Sequence, residues 1–390
     1  MRKLSSRFAV TVGLVGSLFG CGSTDEPAKP KANTPPPDPG AMPCVGLKTP
    51  YEGDDRCIAP PDPSLGIQLH VGPSNYDDPN EVAPFILQPG EEKTQCYYLK
   101  APNPETLNFY VQHFRMRPGS HHMIIHMGTS ATHADGWDNC SGIYGAGWIP
   151  ISGTQRGIAD EPPGGVIAPE DANLYRPLVP NAQMGFELHF YNVTDKPTLR
   201  EVWVNIMKKE TDANSQILGG VFMIGNLGTG IPVGTKTTLD YAYPWPPPGS
   251  PATDDLRVVM LYGHRHAHTT RFTVWKQPGG DAAKRELVYD DFDWVEPTEL
   301  IYNSLVTNPP SDPTAQQAGG SSGILTFAPG DKVEWACEVD NSLERNQLLK
   351  IAQPRTLVEG NQVLTAEMCN LFGNEVSSAI FWSGDAQRTP

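Results

Sequence analysis

The chain has 390 residues, long enough for two domains of ordinary size, and a formal charge of −15 at pH 7. An acidic chain without a basic patch is a poor binder of nucleic acid or of anionic membrane surface, so neither is expected as a partner. Charged residues make up only 19% while Gly and Pro number 38 and 39, a balance that favours a turn-rich all-β protein over a helical one.

In chain order, MRKLSSR is basic, FAVTVGLVGSLF is apolar, and Cys21 follows a small residue in LFGC. Residues 1–21 therefore read as a bacterial lipoprotein signal peptide, with Cys21 as the lipidated first residue of an exported chain. The alternative is an ordinary secretory signal with a chance cysteine. No later apolar run is long enough to span a membrane, so attachment to the bacterial outer membrane or cell surface would be through the lipid anchor alone. Residues 22–43 form a Pro-rich disordered linker with nothing to bury. A small loop region follows, closed by Cys44–Cys57 on grounds of proximity. With Cys21 set aside, six cysteines remain, an even number that suggests disulfides in an exported protein; no CxxC pair supports a thiolate zinc site.

Strand-like runs come next: TLNFYVQHFRM, HHMIIHMG, MGFELHFYNV and LREVWVNIMKK. Between the second and third lies a Gly/Pro-rich stretch, residues 141–183, long enough to cover a site. A polar break, ETDANSQ at 210–216, precedes a second set: ILGGVFMIGN, LRVVMLYGHRHAHTTRFTVWK, RELVYDDFDW and GILTFAPGDKVEWACEVDN. The expected fold is all-β, two tandem antiparallel β-sandwich, jelly-roll-like domains, spanning 44–212 and 213–390.

Eight of the ten histidines fall in three regions: His121, His122, His126 and His133; His189; and His264, His266 and His268. His70 and His113 stand apart and read as structural or surface residues. Neutral imidazole is the commonest metal ligand and suits copper, zinc, iron and nickel. Adjacent strand residues point to opposite faces, so His121 and His122 can share a metal only at an irregular strand start, which Pro118-Gly119 could supply. His189, in an alternating strand, is a candidate third ligand from a facing strand. The i, i+2 pair His264/His266 can present two nitrogens to one ion. Alternation puts His264, His266 and His268 on one face, so spacing alone also allows His266/His268, and it leaves the metal open.

Four motifs in order, HHM (121–123), FELHFYN (186–192), GHRH (263–266) and LTAEMCNLF (364–372), resemble the copper type II, ascorbate-dependent monooxygenases, the family of peptidylglycine α-hydroxylating monooxygenase and dopamine β-monooxygenase. The resemblance covers roughly residues 60–380. It implies two coppers per chain, one in each domain. His121, His122 and His189 would hold an electron-transfer copper, and His264, His266 and Met368 the copper where dioxygen binds. A thioether beside two imidazoles favours Cu(I). An aromatic six residues after the second ligand, here Phe272, selects His264/His266 and leaves His268 as the spare, a rim or neighbouring residue. The resemblance also implies the disulfides Cys96–Cys140 and Cys337–Cys369, while Gly128 stands where a further family cysteine would be.

The substrate positions depart from the family. Tyr262 occupies the place of a carboxylate-gripping arginine and Phe372 that of a tyrosine, whereas Asn370 is retained. A C-terminal glycine substrate is therefore not expected. His126 receives no role. The implied function is hydroxylation of a C–H bond of an organic or peptide substrate with dioxygen and ascorbate or another one-electron donor, across a solvent cleft between the halves. The alternative is a non-catalytic copper-binding surface lipoprotein for storage, delivery or interaction. A zinc hydrolase lacks a well-placed carboxylate base, since Glu367 on a regular strand would face away.

Overall fold

Segments rich in β-branched and aromatic residues with period-2 alternation form strands that bury at least one face. In the strand Ser120–Gly128, Met123, Ile125 and Met127 are buried in a core, which turns His122, Ile124 and His126 to the opposite face. The structure, a computed structural model, describes residues 39–390 except 131–132, 141, 144–146, 162–173, 214, 218–220, 226–229, 251, 302–324, 376–381, 386 and 389–390. The expected signal peptide, Cys21 and nearly all of the expected linker lie outside the described residues.

The architecture is all-β, with four large and mainly antiparallel sheets. In the N-terminal half, one sheet runs Gly66–Val71, Val202–Lys208, Leu107–Met116, Leu174–Leu178 and Gln216–Ile217, with Ile158–Glu161 also on Leu107–Met116. The second runs Gly136–Asp138, Glu92–Lys100, Gln183–Tyr191, Ser120–Gly128 and Trp148–Thr154. A single apolar cluster, including Val71, Phe114, Phe186 and Val204, draws on both. In the C-terminal half, Leu256–Arg265 pairs with Cys369–Glu375, which pairs with Val221–Gly225. The other sheet orders Glu286–Asp291, Thr269–Gln277, Lys332–Asp340 and Lys236–Pro244. Phe222, Leu261, Phe272 and Trp335 share the core of this half.

The strand Gln216–Ile217 pairs in parallel with Leu174–Leu178, so the chain stays with the first pair of sheets past residue 212, the boundary expected from the polar break. All three disulfides form as expected: Cys44–Cys57, Cys96–Cys140 and Cys337–Cys369. The last ties the two C-terminal sheets together, because Cys337 lies on Lys332–Asp340 and Cys369 opens Cys369–Glu375. Among the described residues no helix is long and apolar enough to cross a membrane.

Two long strand-like runs are each broken between sheets. LRVVMLYGHRHAHTTRFTVWK divides at residues 266–268, where the chain turns from one sheet to the other. GILTFAPGDKVEWACEVDN divides at Ala328–Asp331, with Leu325–Phe327 and Lys332–Asp340 in different sheets. His268 is thus not on a strand shared with His264. The two halves meet where Ile124, on the outward face of Ser120–Gly128, packs against Met260, Tyr262 and Phe372.

Candidate metal centre

Two β-bulges aim the histidines. His189 pairs with His122, but Phe190 pairs with Ser120, so His121 is an extra residue bulged out of the ladder. A bulge re-aims a side chain that regular pleating would turn away. Gly119 stands just before it at φ 91°, a conformation glycine adopts without strain. His121 and His122 therefore converge, with ring centroids 5.4 Å apart, and His189 lies 5.0 and 5.1 Å from them.

The second bulge lies between Val258 and Met260. Leu256 and Val258 face the core before it; Leu261 and Gly263 face the core after it. The shift of parity sends Met260, Tyr262 and His264 outward, toward the other half. Gly263 is held to glycine by Phe272: a Cβ there would sit 2.4 Å from the ring Cγ.

The outcome is one cluster rather than two sets across a solvent cleft. His121 lies 5.3 Å from His264 and 5.1 Å from His266, and His122 lies 4.8 Å from His264, ring to ring. This corrects the expected separation: the outward sheet faces meet through Ile124, Tyr262 and Phe372, which brings the two sets of histidines together. Two groups of three have ligand atoms within 4.8 Å of one another: His121, His189 and His266; and His121, His122 and His264. Each mixes residues of both halves, and His121 belongs to both.

Hydrogen bonds at the far side of each ring set which nitrogen faces inward. His189 Nε2 lies 2.8 Å from Glu92 Oε1, and His266 Nδ1 lies 3.3 Å from the Ala366 carbonyl. His264 Nδ1 lies 2.9 Å from Gln155 Oε1. Their opposite nitrogens are then the ones free to bind. His121 Nε2, His122 Nδ1, His189 Nδ1 and His266 Nε2 are indeed buried without hydrogen-bond partners. Burial, and then the mutual proximity of the rings, pushes the pKa values of His121 and His264 well below the usual imidazole range; His266 is pushed down to about 3, mainly by burial. At neutral pH these rings keep their lone pairs. Unpartnered nitrogen lone pairs in a buried cluster of imidazoles fit a transition metal such as copper or zinc.

Met368 is half-buried one residue before the Arg265–Cys369 pair, beside His266. Glu367 does not face away. Its Oε1 accepts the backbone N–H groups of His266 (2.7 Å) and Met368 (3.0 Å), and burial pushes its pKa up to about 7. Tyr262 and Phe372 stack at 5.3 Å, and Phe372 meets the His264 ring edge-on at 5.7 Å. Asn370 pairs with His264 across the ladder, and its Oδ1 is buried without a partner.

Other histidines are outside the cluster. His268 is fully buried rather than at a rim, its Nδ1 2.9 Å from the Asp340 carbonyl and its Nε2 3.1 Å from the Leu364 carbonyl. His133 is exposed and stacks on Tyr98 at 3.8 Å. His126 is buried on the outward face of its strand, and burial pushes its pKa down to about 4. His70 binds Glu201 at 2.8 Å, and His113 is buried.

Two residues that sequence reasoning missed connect the halves here. Gln155, buried just past Trp148–Thr154, bonds His264 and donates to the carbonyls of Trp294 (2.7 Å) and Arg265 (3.3 Å). Glu92 Oε1, besides holding His189, accepts the Val363 amide at 2.7 Å. Neither stands in a motif; the only local hint was a polar residue at a strand end. No protein-family model matches the chain, and no curated protein matches it either.

Proposed function

We propose that the protein is an exported, lipid-anchored copper monooxygenase of two tandem jelly-roll-like sandwich domains, which hydroxylates a C–H bond using dioxygen and ascorbate or a similar one-electron donor. The observation that carries the reading is the convergence of His121, His122, His189, His264 and His266, whose inward nitrogens are buried and mostly unpartnered. These five histidines, with Met368, would hold the metal, and copper there would supply one-electron redox chemistry toward dioxygen. The protein's own residues do the rest. Glu92, Gln155 and the Ala366 carbonyl orient the rings. Ile124 packs against Tyr262 and Phe372 beside the rings and joins the two halves there. The stacked Tyr262–Phe372 pair beside His264 suits an apolar group at the reacting position, and Asn370 Oδ1 can accept one hydrogen bond from it.

One feature favours a non-catalytic copper-binding lipoprotein instead. His189 and His266 are fully buried and His121 and His264 are 4% exposed, so four of the five rings are shut in and His122 alone of the five is partly exposed, whereas catalytic metal sites keep a position open to substrate. Copper loading followed by oxygen-electrode measurement separates the two. Ascorbate-dependent oxygen uptake that disappears in His264→Ala supports the monooxygenase; tight copper binding with no uptake supports the binding protein. Failure to bind copper at all refutes both.

A further inference from the structure

The segment that carries Met368 is bound along the turn that carries His266. Ala267 donates its N–H to the Val363 carbonyl (3.2 Å), His268 Nε2 meets the Leu364 carbonyl (3.1 Å), and His266 Nδ1 meets the Ala366 carbonyl (3.3 Å). Beyond this segment the ladder between Leu256–Arg265 and Cys369–Glu375 begins with the pair Arg265–Cys369. One step earlier His266 would face Met368, and there the ladder is open. The Glu367 carboxylate occupies that place, its Oε1 accepting the N–H of both residues. A buried amide needs an acceptor, and here one oxygen serves two amides from segments about a hundred residues apart.

We infer that Glu367 is a positioning residue that sets the spacing between His266 and Met368, so that imidazole and thioether can reach one metal. The inference rests on the reading of these two residues as copper ligands. Glu367 lies in neither ligand group, and its role requires only an oxygen that accepts two N–H bonds, so glutamine should replace it and alanine should not.

The test uses Glu367→Gln, Glu367→Ala and, in case the alanine variant does not fold, Glu367→Asp, whose carboxylate falls one methylene short. In the metal-free protein, amide hydrogen exchange at His266 and Met368 should be slow in the wild type and in Glu367→Gln. It should quicken by about an order of magnitude or more in the other two. After loading with Cu(I), X-ray absorption should show a sulfur shell in the wild type and Glu367→Gln; in Glu367→Ala the nitrogen shell should remain while the sulfur is lost. A sulfur shell and slow exchange that both survive in Glu367→Ala overturn the positioning role and leave the ligand reading standing. A wild type without the sulfur shell overturns the ligand reading and the inference with it. Loss of all copper in Glu367→Gln would make the carboxylate a ligand, which also overturns the inference.

Discussion

Gly263 offers a quantitative test of how the candidate site is built. Its backbone is not in the left-handed region, so alanine carries no conformational strain there. The cost is contact alone: a Cβ would stand 2.4, 2.5 and 2.7 Å from three carbons of the fully buried Phe272 ring. Overpacking of this kind costs about 1–3 kcal/mol, from which the better strand propensity of alanine recovers roughly 0.5–1 kcal/mol. Gly263→Ala should therefore destabilise by about 1–2 kcal/mol. Phe272→Ala by itself should cost about 3–5 kcal/mol, as deletion of a buried ring does. With the ring gone, the added methyl has room, and Gly263→Ala should become neutral or stabilising by up to roughly 1 kcal/mol. The coupling is then about 1–3 kcal/mol, within the range for residues in direct contact. Urea unfolding of the four proteins in the double-mutant cycle measures it. Equal costs of Gly263→Ala in both backgrounds would refute the reasoning, because the glycine would then be required for something other than Phe272.

Three further outcomes follow from the same structure. His121 belongs to both candidate ligand groups, so His121→Ala should weaken copper binding by both, while His122→Ala should leave the His121–His189–His266 group able to bind; elemental analysis after copper loading tells them apart. Removal of the Cys337–Cys369 bridge by Cys369→Ser, which opens a loop of 32 residues, should cost about 3–4 kcal/mol, read from the urea midpoint. The pH dependence of the metal-free protein combines two opposite signs. Depressed histidines such as His126 (about 4) and His266 (about 3) bind fewer protons folded than unfolded, so they lose stability as pH falls below the unfolded value of 6.5. Raised glutamates, Glu187, Glu299 and Glu367 (each about 7), bind more protons folded, so their stability is complete below the unfolded value of 4.5 and declines as pH rises through 7. Melting temperature should peak between about pH 4.5 and 6.5; a steady rise from pH 4 to 8 would contradict this balance.

Much of the fold was legible because strand alternation is a local property. Each strand-like run contains strands in the structure, although two runs are split between sheets, and the stretch 141–183 contains further strands such as Trp148–Thr154. The three disulfide pairings, one from proximity and two from the family resemblance, are all formed. The irregular strand start expected after Pro118-Gly119 is present as the bulge at His121.

What the sequence by itself determined was which residue types recur with which period, and therefore the strands and the concentration of imidazoles. It could not determine which way those imidazoles face. Counting by twos from Leu256 and Val258 would bury His264 in the core; the bulge before Met260 reverses the parity, and a bulge is visible only against the partner strand. Nor could spacing separate His268 from His264 and His266, because the corner at 266–268 exists only where two sheets meet. Glu367, adjacent to Met368, seemed to point away until that corner brought the His266 amide to its carboxylate. The merging of the histidines into one cluster was decided by tertiary structure alone, since it depends on two outward sheet faces, more than a hundred residues apart in sequence, being pressed together around Ile124, Tyr262 and Phe372.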